Sequence, residues 1–333
     1  MNQSAMCGVR IAGSGAGIPA RVLSNQDLER MVDTSHEWIV QRTGIERRHI
    51  IDQATESQAT LAGQALRRAI SNAGMSPSQL DLVINATVTA EMTCPSNACR
   101  IAHEIGAAPA GAFDLVAACS GFVYSMNLAE SLIRCGRYRT VGLVGCDVLS
   151  GSVDYTERSV SILFGDGAGA MILTRDDDAR RGCLYQAMGA DGSGWHSLYM
   201  PRRQQEVPAS DATNPIPIGL LRMNGREVYK FAVNKFREVI EDAMAATGLK
   251  VDDVAQFVCH QSNIRIIEAA MERLDLPKEK VHINIAEYGN TSAGSVPIVY
   301  DEIRRLGRVG EGDVVVFIAF GGGLTWASSV WRI

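Results

Sequence analysis

DLVAACSGFVYSM, residues 114–126, joins an apolar run to a helical pattern through a single cysteine, which indicates a strand-to-helix junction. The run Phe113–Ala117 is typical of a short buried strand, and Phe122 and Met126 follow at helical spacing. Cys119 is therefore predicted in the first turn of a helix, where free backbone N–H groups and the helix dipole favour a thiolate. Taken alone, this cysteine also fits the commoner case of a small buried apolar side chain.

Length, charge and cysteine spacing narrow the class of protein. The chain has 333 residues, 46% of them hydrophobic, a net charge of −5 and eight cysteines. That length accommodates two domain-sized units, and the net charge argues against a general nucleic-acid binder. We find no secretory leader pattern and no membrane-spanning run. The cysteines show no C-x-x-C or zinc spacing and lie in apolar segments, so we expect reduced thiols, no metal site and a cytoplasmic location.

Helix and strand patterns recur along the chain. Residues 65–87 and 239–261 each predict a helix, a glycine stop, a polar turn and an apolar strand. Residues 119–136 then match residues 290–307 without a gap, which pairs Cys119 with Asn290. Further predicted elements are a helix over 295–306 and strands over 82–88, 257–260, 281–285 and 314–320. The glycines of FGDGAGA, residues 164–170, precede a strand and indicate close backbone packing beside a site.

This duplication predicts two mixed α/β halves, residues 1–174 and 175–333, with sheets that have helices between and around them. If a pseudo-twofold axis relates the halves, strand ends from both converge on one central site. Cys119, His260 and Asn290, which are far apart in sequence, would then meet there.

Four motifs, AACSGF, HQSNIRI, YGNTSAGSVP and AFGGGLTW, are similar in order and spacing to those of the β-ketoacyl-acyl-carrier-protein synthase III family, within the thiolase superfamily. DTSHEWIVQRTGIERRHI and LFGDGAGA fit the same pattern. The resemblance implies a thiolase-like fold, with duplicated βαβαβ halves in five layers, α-β-α-β-α. Thiolases carry a second cysteine, and elongating synthases a second histidine, where this chain has Asn290. Chalcone-synthase-like enzymes are longer and usually carry a proline in the terminal glycine loop, which here reads GGG.

The resemblance also implies a reaction that needs no metal or organic cofactor. Cys119 would take an acyl group from acyl-CoA, with the N–H groups of Cys119 and Gly322 as the oxyanion hole. His260, in its neutral form, and Asn290 would donate hydrogen bonds while malonyl-acyl-carrier protein loses CO₂. The carbanion would attack acyl-Cys119 and give a 3-oxoacyl-carrier protein, which initiates fatty acid synthesis.

Substrate contacts follow from the same resemblance. Residues 34–37, TSHE, have capping-box spacing and predict the start of a short helix. That helix carries an indole and a guanidinium four residues apart on one face, a pair that suits either a flat aromatic base or ordinary surface contacts. The family uses these positions for the coenzyme A nucleotide, together with an arginine further along, and lines the pantetheine channel with three more residues. Its carrier protein is acidic and docks on cations. The implied residues are Trp38, Arg42 and Arg158 for the nucleotide, Gly225, Tyr229 and Asn263 for pantetheine, and Lys230 and Arg265 for docking.

One position departs from the family pattern. Cys94 stands where many members of this homodimeric family place a phenylalanine that reaches the partner's acyl pocket. A smaller side chain there is expected to admit primers longer or more branched than acetyl. Primer preference is the property that the sequence leaves open.

Three other functions are compatible with parts of this pattern. A condensing enzyme or acyltransferase of secondary metabolism would use the same cysteine with another acceptor, and would release no CO₂ from malonyl-carrier protein. A Cys-His-Asn hydrolase would release free acid. A binding module with a degenerate site would lack one of the three residues, and all three are present.

Overall fold

Two β-sheets form the framework of the protein, in a computed structural model that describes residues 7–211 and 217–333. The first sheet contains five strands, β1 (Gly8–Gly17), β4 (Leu82–Ala86), β5 (Gly111–Leu115), β6 (Thr140–Asp147) and β7 (Gly167–Asp176), in the order β1-β7-β6-β4-β5. The second contains four, β8 (Gly182–Ala190), β11 (Gln256–Cys259), β12 (Val314–Gly321) and β13 (Thr325–Arg332), in the order β11-β12-β13-β8. Two short antiparallel pairs complete the β-structure: β2 (Val22–Ser24) with β3 (Arg47–His49), and β9 (Leu198–Tyr199) with β10 (Arg222–Met223).

Helices lie between the sheets and on both outer faces. They are α1 (Asn25–Glu29), α2 (His36–Thr43), α3 (Gln58–Asn72), α4 (Asn97–Ile105), α5 (Gly121–Arg134), α6 (Arg158–Ser161), α7 (Gly225–Thr247), α8 (Ile264–Leu274), α9 (Ile285–Tyr288) and α10 (Ser295–Arg305). Helices α5 and α10 share one apolar core with the facing sides of both sheets, α3 and α4 cover the first sheet, and α7 and α8 cover the second. The predicted five-layer fold is confirmed. Among the described residues, no helix combines the length and the apolar character needed to cross a bilayer.

The middle layer forms because α5 and α10 are buried along most of their length. Phe122, Met126 and Ile133 of α5 are fully buried, as are Val299 and Ile303 of α10. These side chains belong to one core that also takes in the facing sides of both sheets. Burying each such side chain contributes about 1.5–3 kcal/mol. The two helices that follow Cys119 and Asn290 are therefore firmly held between the sheets.

The two halves repeat one topology. Strands β4, β6, β7 and β1 of the first sheet stand in the same spatial order as β11, β12, β13 and β8 of the second. Strand β7 continues to Asp176, two residues past the boundary expected at 174/175, and β8 begins at Gly182. We propose that the two halves join in residues 177–181.

The ungapped pairing of Cys119 with Asn290 is wrong. A short 3₁₀ turn, Ala118–Ser120, precedes α5, and another, Ser292–Gly294, precedes α10. Their first residues share a left-handed backbone conformation, with φ of 47° at Ala118 and 51° at Ser292. Helix α5 has 14 residues and α10 has 11. The two repeats therefore align at both ends of these helices only when a three-residue gap is placed within α10.

Three local predictions also need correction. Strand β5 is an edge strand rather than a buried one, since among the described residues it pairs with β4 alone, and Val116 just beyond it is 75% exposed. Residues 281–285 form no strand, because side chains hold this segment: Gln261 accepts from the Asn284 backbone, and Glu302 binds His282 and Asn284. Helix α2 begins one residue later than its capping pattern suggests, with Ser35 as the N-cap.

Candidate active site

Three elements bring Cys119, His260 and Asn290 together. Cys119 lies in the turn between β5 and α5, His260 directly follows β11, and Asn290 follows α9. The three side chains line one cavity of about 460 Å³, and their residues are only 7%, 1% and 6% exposed. The sequence prediction that they converge on one site agrees with this placement.

Cys119 lies in a closely packed, water-poor environment. A side chain at Gly321 would approach the Cys119 backbone nitrogen to 2.7 Å, so only glycine leaves room for the cysteine. Burial raises the pKa of the thiol to about 12, with a smaller rise from the charge of Asp147, and the Ser292 hydroxyl opposes both. The thiolate expected from the helix start is not supported in this environment, because burial disfavours the charged form of the thiol.

His260 is held as a neutral imidazole. Its Nδ1 lies 2.7 Å from Ser295 Oγ, and burial lowers its pKa to about 3. The same hydroxyl lies 3.0 Å from the Ser292 carbonyl, to which it can donate instead. When Ser295 donates to Nδ1, the hydrogen of the neutral ring is on Nε2, and that nitrogen can donate to a substrate. This agrees with the neutral donor state expected for decarboxylation.

Asn290 is oriented as a hydrogen-bond donor. Its side-chain oxygen accepts the backbone N–H of Ser292 at 2.8 Å, which leaves its NH₂ group to serve the substrate. The Asn290 backbone is fixed on both sides, because its N–H donates to Leu163 and its carbonyl accepts from Gly165. Close packing of FGDGAGA makes this support possible, because a side chain at Gly165 would collide with the Tyr288 carbonyl oxygen. The sequence prediction for these glycines is confirmed.

The cavity opens beside α2, and most residues expected for coenzyme A lie along it. Arg42 and Arg158 place their guanidinium carbons 5.7 Å and 4.7 Å from the centroid of the Trp38 indole. Arg158 also donates to the Asp33 carbonyl and is not itself a lining residue. Asn263 caps α8 and donates to the Arg42 carbonyl at 3.1 Å, which joins the two sides of the mouth. The expected lining residues found here are Trp38, Arg42, Gly225, Tyr229 and Asn263.

Four other expected residues lie outside the cavity lining. Gly321, rather than Gly322, borders the cavity, and Gly322 is buried next to it beside Leu198. Lys230 on α7 and Arg265 at the start of α8 are exposed. Cys94 is exposed and makes no part of its own chain's cavity. No cluster of three or more potential metal-ligating side chains was found among the residues that the structure describes.

Sequence reasoning missed Ser292, Ser295 and Asp147. Ser292 contacts the sulfur, Ser295 contacts the imidazole, and Asp147 is a fully buried carboxylate at the end of β6. The two serines stand inside the motif already singled out, YGNTSAGSVP, and could have been noticed as hydroxyls next to Asn290. A charged residue that ends the buried run VGLVGCD was the signal for Asp147.

The fold is duplicated and has five layers, and a buried cysteine faces two hydrogen-bond donors where the two halves meet. This combination defines the thiolase-like condensing enzymes, which carry acyl groups on that cysteine. Family models agree. Residues 113–192 match 3-oxoacyl-[acyl-carrier-protein] synthase III, and residues 244–333 match the C-terminal region of the same family.

Individual relatives support the same assignment. The chain is 45% identical to a β-ketoacyl-[acyl-carrier-protein] synthase III of Caldanaerobacter subterraneus over 96% of each chain. It also superposes on the crystal structure of 3-oxoacyl-[acyl-carrier-protein] synthase III from Aquifex aeolicus, with a TM-score of 0.90, 42% identity and coverage of 98% of this chain and 100% of that one. The chain belongs to the β-ketoacyl-acyl-carrier-protein synthase III family.

A third relative bears on the alternative function, a condensing enzyme of secondary metabolism that uses another acceptor. The priming β-ketosynthase of the R1128 polyketide pathway is 35% identical, with a TM-score of 0.90 and coverage of 99% of this chain and 98% of that one. The identity to this ketosynthase is lower than the identity to either of the two synthase III relatives. The secondary-metabolism alternative is therefore not favoured.

Proposed function

We propose that this enzyme condenses an acyl-CoA primer with malonyl-acyl-carrier protein, giving 3-oxoacyl-carrier protein, CoA and CO₂, at the start of fatty acid synthesis. The observation that carries the proposal is the single cavity that has Cys119, His260 and Asn290 at its inner end and Trp38 at its mouth. Acyl-CoA and malonyl-carrier protein are substrates, and the chemistry requires only side chains and backbone N–H groups.

In the first half-reaction, Cys119 Sγ attacks the thioester carbon of acyl-CoA and the bond from that carbon to the CoA sulfur breaks. The negative charge that develops on the carbonyl oxygen needs two fixed donors. The backbone N–H of Cys119 supplies one. Gly322, in the loop that packs against Cys119, is the proposed second donor.

In the second half-reaction, malonyl-carrier protein loses CO₂ and negative charge accumulates on its thioester oxygen. His260 Nε2–H and the Asn290 NH₂ group supply two donors for that oxygen, each oriented by a neighbour. The carbanion then forms a bond to the acyl carbon, and the bond from that carbon to Cys119 Sγ breaks. A neutral imidazole suits this role because it donates without adding a buried charge.

The mouth of the cavity is proposed to bind the nucleotide of coenzyme A. The Trp38 indole offers a flat apolar face for the base, and the two guanidiniums over it, Arg42 and Arg158, attract phosphate. Pantetheine would then pass along the wall formed by Gly225, Tyr229 and Asn263. The acidic carrier protein is proposed to dock on the exposed cations Lys230 and Arg265, so that its own pantetheine enters by the same opening.

The active form is proposed to be a cytoplasmic homodimer formed through β5. This edge strand has an unpaired side and apolar neighbours, with Phe113 36% and Val116 75% exposed. An exposed edge of this kind is a template for pairing with a second copy. Cys94 is also exposed, in the chain segment before α4, so a partner across β5 is the proposed route by which it reaches an acyl pocket.

Intact-mass analysis tests the function directly. The protein is mixed with a panel of acyl-CoAs, among them acetyl-, isobutyryl- and octanoyl-CoA, and Cys119→Ala serves as the matched control. We expect a gain of one acyl group that is absent from the variant and is discharged by malonyl-carrier protein with release of CO₂. An acylated cysteine that malonyl-carrier protein does not discharge would contradict the proposal. Strict preference for acetyl-CoA would contradict the enlarged pocket expected from Cys94.

A further inference from the structure

Asp147 is a buried carboxylate that the proposed reaction does not yet use. Its Oδ1 accepts the Val88 backbone N–H at 2.8 Å and the hydroxyls of Thr87 and Thr89 at 2.9 Å and 3.1 Å. Its Oδ2 accepts the backbone N–H of Ala293 at 3.3 Å. Within residues 7–211 and 217–333, no Lys, Arg or His side chain forms an ion pair with it. A fully buried carboxylate with no cationic partner is costly, which suggests a role beyond packing.

Ser292 stands between this carboxylate and the nucleophile. Its Oγ lies 3.4 Å from Cys119 Sγ, and the backbone N–H of the next residue, Ala293, donates to the Asp147 carboxylate at 3.3 Å. Hydrogen bonding by the Ser292 hydroxyl lowers the pKa of that carboxyl. The residue that carries this hydroxyl has a φ of 51°, a conformation that non-glycine residues rarely adopt. Backbone strain of this kind is retained where the surrounding structure fixes it, often at functional sites.

We propose that Ser292 and Asp147 form a proton relay for Cys119, in which Ser292 is a catalytic residue and Asp147 acts through it. This inference rests on the proposed function. As Cys119 Sγ bonds to the thioester carbon, its proton passes to Ser292 Oγ, and the hydroxyl proton of Ser292 passes to Asp147. The CoA thiolate leaves and takes a proton from solvent. When condensation later expels the Cys119 thiolate, Asp147 returns its proton through Ser292, so that one turnover consumes one proton in total.

Burial favours Asp147 over His260 as the group that stores the proton. A protonated His260 would be a buried cation, and burial lowers its pKa to about 3. A protonated Asp147 is neutral, and burial raises the pKa of that carboxyl despite its hydrogen bonds. The titratable groups that feel the charge of Asp147 are the thiols of Cys119 and Cys146, and Asp166 also acts on Cys146. None of them carries a positive charge that would keep Asp147 ionised once a proton is offered.

The relay is tested by measuring the two half-reactions separately as a function of pH. Ser292→Ala removes the bridging hydroxyl but keeps the backbone N–H that orients Asn290, and Asp147→Asn removes the base. Acylation by acetyl-CoA is followed by quenched intact mass, and decarboxylation of malonyl-carrier protein by CO₂ release without acyl-CoA. Cys146→Ala, which alters packing next to Asp147 without touching Cys119, is the matched control.

For the wild type and Cys146→Ala, we expect an acylation rate that is nearly flat between pH 6 and 9. For Ser292→Ala and Asp147→Asn, we expect acylation to fall by roughly 10²-fold or more at neutral pH and to rise about tenfold per pH unit, because hydroxide must then remove the thiol proton. Decarboxylation should stay within about threefold of wild type, since it needs no proton from Cys119.

Three outcomes would overturn the relay. They are Ser292→Ala acylation at the wild-type rate, equal loss in both half-reactions, or a lowered acylation rate with an unchanged pH profile. Ser292→Ala alone decides the matter if Asp147→Asn does not fold. A wild-type protein that forms no acyl-enzyme would instead overturn the proposed function, and the relay with it.

Discussion

At the inner end of the cavity, Cys119, His260 and Asn290 are more than nine-tenths buried, and a serine hydroxyl or backbone N–H contacts each side chain. At the mouth, Trp38 is half-buried and the guanidiniums of Arg42 and Arg158 are exposed. The inner end therefore stabilises a developing charge with dipoles that need no reorganisation, whereas the mouth attracts a charged ligand through cations that water screens. This difference predicts that inner substitutions change rate constants and mouth substitutions change binding.

The largest expected effect lies at the inner end. His260→Ala and Asn290→Ala each remove one of the two proposed donors to the thioester oxygen of malonyl-carrier protein. We expect decarboxylation to fall by about 10²–10³-fold, the cost typical of losing one oxyanion-hole donor. CO₂ release under saturating substrate measures this, with acylation of Cys119 by acetyl-CoA as the control half-reaction. If these variants mainly raised KM instead, the contrast between the inner end and the mouth of the cavity would be wrong.

A smaller effect is expected at the mouth. Trp38→Ala removes the aromatic face that the nucleotide would contact, and stacking on an aromatic side chain contributes roughly 1–3 kcal/mol. We expect KM for acyl-CoA to rise about tenfold with kcat nearly unchanged. Steady-state kinetics with acetyl-CoA and with acetyl-pantetheine, which lacks the nucleotide, sharpen the comparison. An equal KM increase for both substrates would contradict nucleotide binding by Trp38.

Burial at the inner end also predicts a pH effect on stability. The folded pKa of His260, about 3, lies below the ordinary value of 6.5, so the unfolded state binds a proton that the folded state does not. His260 is thus expected to cost stability as pH falls below 6.5, by about 1.4 kcal/mol per pH unit. Chemical denaturation of wild type and His260→Gln at pH 7.5 and 5.5 measures this contribution. Parallel loss of stability in both proteins would show that His260 is not buried in neutral form.

The smallest effect concerns the proposed docking cations. Lys230→Ala combined with Arg265→Ala removes two exposed charges, whose interactions are weak and screened by salt. We expect KM for malonyl-carrier protein to rise about threefold at low salt, with little change for acetyl-CoA. Repeating the assay at high salt should erase the difference. An equal KM increase for both substrates would place these cations at the shared opening rather than on a protein-docking face.

Much of this architecture follows from sequence patterns, because the repeated helices and strands bury regular apolar faces. Helix α10 begins at residue 295 and strand β12 at residue 314, as predicted. The misjudged segments depend on partners remote in sequence. Residues 281–285 look like a strand, but hydrogen bonds that Asn284 donates to Gln261 and Glu302 replace a sheet neighbour.

The candidate site shows the same division between what local sequence predicts and what depends on distant segments. Motifs were enough to predict that Cys119, His260 and Asn290 meet, since a duplicated fold brings strand ends together. The thiol pKa was misjudged because helix position is local information, whereas burial depends on every segment that covers the sulfur. Asp147 belongs to a different motif from Ser292, and only the packing of β6 against the turn before α10 reveals their contact.

Strand β5 ends four residues before the nucleophile, and it is hydrogen-bonded to a sheet neighbour on one side only. Cys119 is thus anchored to the shorter of the two edge strands of the first sheet. A second copy paired along that edge would stiffen the strand and, through it, the sulfur's position. Specific activity should consequently decline on dilution into the range where two copies separate, even though each chain holds all three reactive side chains of its own site.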